Sequence, residues 1–129
     1  MTLSPLGVVL RHCREQRKLS LREAGQIAEI DHAYIHRLET GAKEAPSAAT
    51  VDKLFRVLKP QAREADLIRF LYKYPSGDAD LVKYVIQNPG VQMEAFEAAY
   101  LMAHRGTGRL SPEMQIERAQ RVLAAFAHE

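Results

Sequence analysis

Residues 19–41 read LSLREAGQIAEIDHAYIHRLETG, and they decide how the rest of the chain is understood. Ser20 is a good helix N-cap, and Glu23 stands three residues later, which completes a capping box and predicts a helix from Leu21 to about Ala28. Asp31 is the next cap, so a second helix is predicted from His32 to about Thr40. Only Glu29 and Ile30 lie between the two, too few for anything but a turn. Gly41 then ends the second helix as the residue that turns left-handed past its last turn. Ile35 and Leu38 supply the inward side of that helix. His32, Ala33, His36 and Arg37 lie on the side away from them, and Tyr34 falls between.

This stretch resembles the helix-turn-helix of the Cro/C1-type phage repressors, the XRE family. Leu19-Ser20 is similar to the family's entry, Glu23 to its second-helix glutamate, and Gly25 to the small residue where the two helices cross. Ile30 matches the apolar turn residue, Ile35 and Leu38 the recognition-helix core, and Glu39 with Gly41 the closing Glu-x-Gly. Two positions depart from the pattern. Ala24 stands where leucine is usual. Glu29 stands where glycine is usual and would need a left-handed backbone, at about 1 kcal/mol or more.

The resemblance implies a site. A recognition helix enters the major groove by its N-terminal end. In the family the first two helical residues and the one at Arg37 touch base edges, so His32, Ala33 and Arg37 are expected to read sequence. Arg37 can donate to guanine O6 and N7 together, worth about 1–3 kcal/mol of discrimination. Ala33 can pack on a thymine methyl. Tyr34, His36, Thr40, Ser20, Leu21 and Lys43 complete the expected DNA-binding surface. The resemblance further implies a salt bridge between Arg14 and Glu39 that fixes the angle of the recognition helix. His32 and His36 are one turn apart, a metal-ligand spacing, but no third ligand, Cys pair or HExxH accompanies them, and no metal or cofactor is expected.

Working outward, Ser4-Pro5 opens a first helix to about Arg17, with Leu6, Val9, Leu10 and Cys13 as its buried stripe. Pro46-Ser47 opens a fourth, with Val51, Leu54, Phe55 and Leu58 inward. Residues 61–74 read as a fifth, with Leu67, Ile68, Leu71 and Tyr72 inward. The resemblance covers residues 6–58, and a unit of that size hides only about 60% of its unfolded surface. Pro75-Ser76-Gly77-Asp78 reads as a linker, which places a helix-turn-helix domain at 1–74 and a second, helical domain at 79–129. In the latter, 79–87, 92–104 and a stretch from Ser111-Pro112 onward read as three short helices. Phe96, Tyr100, Ile116, Leu123 and Phe126 are expected to form core and dimer interface. The expected fold class is all-α: a lambda-repressor-like domain of about five helices followed by a small dimerisation domain.

The run from Asn88 to Phe126 resembles the C-terminal domain of DdrO-type repressors of the DNA-damage response, which a zinc metallopeptidase of the ImmA/IrrE class cuts just before an Arg-Gly pair. That resemblance implies a cut between His104 and Arg105, with histidine where the family has leucine. Gly106 to Arg109 lacks the spacing of a phosphate-binding loop and reads as a plain loop.

Composition narrows the function classes. The net charge is only +2, but residues 1–59 carry ten Lys/Arg against seven Asp/Glu and residues 60–129 eight against nine. The positive half is the half that would meet phosphates. A single cysteine, Cys13, forbids an intramolecular disulfide, and with no signal peptide in view the expected compartment is a reducing cytoplasm. No apolar run approaches the ~18–20 residues a membrane span needs. No nucleophile–base arrangement, metal cluster or cofactor loop suggests an enzyme. The reading is a homodimeric repressor on a palindromic double-stranded operator, inactivated by proteolysis in the DdrO manner. The alternative is an antitoxin that binds a cognate toxin and regulates its own promoter.

Overall fold

The computed structural model describes residues 3–41, 45–102 and 110–127. Among these, eight helices and no strands occur, in two compact units, Met1–Ser76 and Gly77–Glu129. No described helix is long and apolar enough to cross a membrane.

The first unit holds α1 (Pro5–Gln16), α2 (Leu21–Ala28), α3 (His32–Thr40), α4 (Ala48–Leu58) and α5 (Ala62–Lys73). Each start has a local cause. The Gly7 amide donates to Ser4 Oγ at 2.9 Å, and Pro5 occupies the first helical position, where a missing N–H costs nothing. Ser20 Oγ accepts from the Glu23 amide at 3.1 Å while the Ser20 amide donates to Glu23 Oε1 at 2.9 Å, a reciprocal capping box. Asp31 Oδ1 accepts from the Ala33 amide at 3.0 Å, and Ser47 Oγ from the Thr50 amide at 3.2 Å. Before α5, the Gln61 amide donates to Glu64 Oε1 at 2.9 Å.

The core of this unit takes Leu6, Val9, Leu10 and Cys13 from α1, joined by Ala24, Ile35, Leu38, Leu54, Leu58, Leu67, Ile68 and Leu71. Burial pushes the Cys13 thiol up to about 12, with the Glu64 carboxylate adding to the shift. Three inward assignments fail, at Val51, which is half-buried, and at Phe55 and Tyr72. In α4 the buried residues are Leu54, Val57 and Leu58, while Phe55 sits at the border and carries the Arg69 guanidinium 5.2 Å above its ring. In α5 Ala65 turns inward and Tyr72 is exposed, because the buried face centres on Leu67, Ile68 and Leu71.

The second unit holds α6 (Ala79–Gln87), α7 (Met93–Met102) and α8 (Pro112–Ala127). Its core is Leu81, Val82, Val85, Ala95, Phe96, Ala99, Tyr100, Ile116 and Ala119. Asp78 caps α6 through Oδ1, which accepts from the Asp80 amide at 2.9 Å. Its Oδ2 accepts from Gln115 Nε2 at 3.3 Å, so one carboxylate joins the start of α6 to α8. The interface assignment changes here. Phe96, Tyr100 and Ile116 are 0%, 0% and 3% exposed. They fill the unit's own core and leave no surface for another subunit. Leu123 is half-buried, and Phe126 is 67% exposed.

Candidate nucleic-acid interface

The turn between α2 and α3 is made by one unusual residue. Glu29 adopts φ 58° and ψ 46°, the left-handed conformation its position demands. The Ile30 amide then returns to the Gly25 carbonyl at 2.9 Å. Gly25 has no side chain because the chain comes back over it: a Cβ there would stand 2.6 Å from the Ile30 carbonyl oxygen. Gly41, at φ 78°, ends α3.

The far end of α3 is bound to α1. The Ser4 amide donates to the Glu39 carbonyl at 3.1 Å, and Ser4 Oγ donates to the Leu38 carbonyl at 3.2 Å. The cap of α1 therefore also satisfies two of the last carbonyls of α3, groups a helix end otherwise leaves open. Arg14 grips the same residue by its side chain. Nε donates to Glu39 Oε2 at 2.7 Å and Nη2 to Oε1 at 3.0 Å, a two-pronged charge-assisted pair. Nη1 reaches the Leu19 carbonyl at 2.9 Å. Glu39 is 3% exposed, and its hydrogen bond holds the Arg14 guanidinium above its ordinary pKa, against the opposing effect of burial. Arg17 Nε donates to the Leu58 carbonyl at 2.9 Å, which ties α1 to the end of α4. Sequence reasoning did not reach that contact, nor the close approach of Gly7 to Glu39. Both depend on which backbone lies opposite, and no local pattern encodes this.

With its C-terminal end fixed, α3 presents its N-terminal side outward. His32 is exposed; Ala33, Tyr34, His36, Arg37 and Thr40 are half-buried; Ile35 and Leu38 are buried. The Arg37 guanidinium lies 5.6 Å from the Tyr34 ring centroid, so the ring limits where the arginine can swing. Thr40 Oγ1 donates back to the His36 carbonyl at 2.9 Å, which spends its hydroxyl proton within the helix. Ser20 is exposed and Leu21 half-buried at the start of α2. Arg22, Gly25, Gln26, Glu29, Ile30, Asp31 and His32 line a cleft of about 500 Å³ where the outer flank of α2 meets the start of α3. Arg22 and Gln26 were missed by the sequence reading; their spacing of four on one helix face was the available signal. Lys43, His104 and Arg105 lie outside the described residues. No group of three His, Cys, Asp or Glu able to hold a metal occurs among the described residues.

This arrangement is a helix-turn-helix held at a set angle by α1. Comparison with known proteins agrees. Residues 5–68 match the family described as a helix-turn-helix domain. Over 57 residues the chain is 39% identical to the HTH-type transcriptional regulator RghRB of Bacillus subtilis (strain 168) and 35% identical to the HTH-type transcriptional repressor RghR of the same organism. Those matches cover 44% of this chain and 41% and 42% of the relatives, so the shared part is about two-fifths of their length. No solved structure matches the chain. Residues 5–68 are a helix-turn-helix domain of the XRE type.

Proposed function

We propose that the chain is a sequence-specific DNA-binding transcriptional repressor that acts as a homodimer on a palindromic operator. One observation carries the reading: α3 carries the exposed His32 and the half-buried Ala33, His36 and Arg37 on a helix whose other end is bonded to α1 through Ser4 and Arg14. A contact surface on a rigid helix can hold base-reading groups to the tolerance that hydrogen bonding needs. His32, Ala33 and Arg37 read base edges. His36, Tyr34, Ser20, Leu21 and Lys43 meet the backbone, with Arg22 and Gln26 beside the start of the recognition helix. The repressor RghR among the relatives supports the regulatory sense of the reading.

One recognition helix reads few base pairs, and a two-fold pair reads two half-sites about 34 Å apart. The second unit supplies the pairing surface. On α8 the apolar stripe of Ile116 and Ala119 runs into the unit's core, and then continues outward as Val122, Leu123 and Phe126. Val122 and Phe126 are exposed one turn apart. Coupling two half-sites through such a pair can raise affinity by about 10²- to 10⁴-fold.

Selection of bound duplexes from a random library, followed by footprinting, tests this. An inverted repeat with centres about one helical turn apart is expected, with affinity that falls steeply as salt rises. Phe126→Asp is expected to give monomers in sedimentation and to weaken binding to the full repeat more than to a half-site. A selected site without symmetry, or no selection at all, would refute the reading.

A further inference from the structure

The second helix has two flanks, and they face different surroundings. One flank carries Arg22 and Gln26 and leads to His32. The other carries Ile27 and leads to α4, where Ile27, Ala28, Glu29, Lys53, Arg56 and Val57 line a separate cleft of about 310 Å³. Ile27 is 61% exposed, the most exposed large aliphatic side chain among the described residues of its unit. Ala28 and Val57 form the floor and are buried. Lys53 is half-buried and Arg56 exposed, one turn apart along α4, and neither is ion-paired with a described residue.

An exposed branched aliphatic side chain does nothing for a phosphate backbone, and this cleft lies on the flank of α2 that turns away from the start of the recognition helix. An apolar anchor point bordered by two cations is the complement of an amphipathic helix whose apolar ridge is flanked by carboxylates, the helix-in-groove mode of recognition. We infer that the α2–α4 cleft docks an acidic amphipathic helix of a partner protein, with its apolar side chain against Ile27, Ala28 and Val57 and its carboxylates on Lys53 and Arg56. Glu29, at the α2 end of the cleft, repels a carboxylate there, so the acidic end of the partner helix runs along α4. The inference does not depend on which bases His32 and Arg37 read.

The probe is a synthetic helical peptide with leucines at i and i+4 flanked by glutamates, titrated into the isotope-labelled full chain and followed by amide chemical shifts. A second peptide carries lysine for each glutamate. Saturable shifts are expected at Ile27, Ala28, Lys53, Arg56 and Val57 with the acidic peptide only. Affinity is expected to fall about tenfold or more in Ile27→Ser and in Lys53→Glu/Arg56→Glu, the loss typical of a truncated anchor. Ile27→Ser changes an exposed side chain and no charge, so a mixed-sequence DNA duplex should bind it as it binds the parent. Equal response to both peptides, or no saturable shift, would overturn the inference. So would a double variant that loses the duplex while keeping the peptide, since the cations would then be phosphate contacts. Shifts at Ile27 that depend on protein concentration alone would overturn it in favour of a second copy.

Discussion

Gly7 of α1 lies so close to the backbone of Glu39 that a Cβ at position 7 would overlap the Glu39 carbonyl group. Helix α1 therefore holds Glu39 twice, by backbone proximity at Gly7 and by side chain at Arg14. The pose of α3 is set from its closing end, which leaves its opening end free to project. Gly7→Ala is expected to force the two helices apart. The cost should be at the upper end of overpacking penalties, about 3 kcal/mol, read as a lower urea midpoint with an unchanged slope. DNA binding should weaken further than the unfolded fraction explains, because the angle of α3 changes.

The Arg14–Glu39 pair is nearly hidden, with side chains 12% and 4% exposed. Removing one partner strands the other's charge. Glu39→Ala should destabilise the chain by about 3 kcal/mol, while Arg14→Met/Glu39→Met should recover much of that loss. A double-mutant cycle in urea measures the coupling. Equal and additive losses would show that the pair does not act as a unit.

Glu29 carries a left-handed backbone that glycine adopts freely. Glu29→Gly removes about 1–2 kcal/mol of strain and adds about 0.5–1 kcal/mol of unfolded-state entropy. The net gain should be up to about 1.5 kcal/mol, a rise of a few degrees in melting temperature. The residue is exposed and lines the cleft beside His32, so losing its negative charge should leave DNA affinity equal to or above that of the parent.

Cys13 is 2% exposed, and burial first, then Glu64, raises its thiol to about 12 from an ordinary 9.0. The fold favours the neutral form. That contribution is complete below about pH 9 and is lost as pH rises toward 12. At pH 8 a disulfide reagent should therefore label Cys13 only as fast as the unit opens, and at once in urea. Rapid labelling of the native chain would contradict this burial.

The helix starts were legible because caps are local chemistry. Ser4, Ser20 with Glu23, Asp31 and Ser47 each announce a helix by a side chain that reaches an amide two or three residues on. The left-handed backbone at Glu29 was implied by the family resemblance, which has glycine at that position. The Arg14 and Glu39 side chains do meet, as the family resemblance implied. Tertiary geometry was less visible. An apolar stripe tells which face of a helix is covered and not what covers it, which is why Phe96, Tyr100 and Ile116 lie in the unit's own core while Val122 and Phe126 at the outer end of α8 stay exposed. Phe55 and Tyr72 sit at stripe edges, where the period tolerates either side and cation–π contact or solvent decides.

The central claim is that the opening end of α3 reads DNA. Fluorescence anisotropy on the duplex that the chain itself selects, comparing the parent with His32→Ala/Arg37→Ala, tests it most directly. Two lost base contacts at about 1–3 kcal/mol each predict a fall in affinity of roughly 30-fold or more, with the preference between selected and scrambled duplex largely erased and the melting temperature unchanged. A double variant that still binds the selected duplex as tightly as the parent, and still prefers it, would contradict the account.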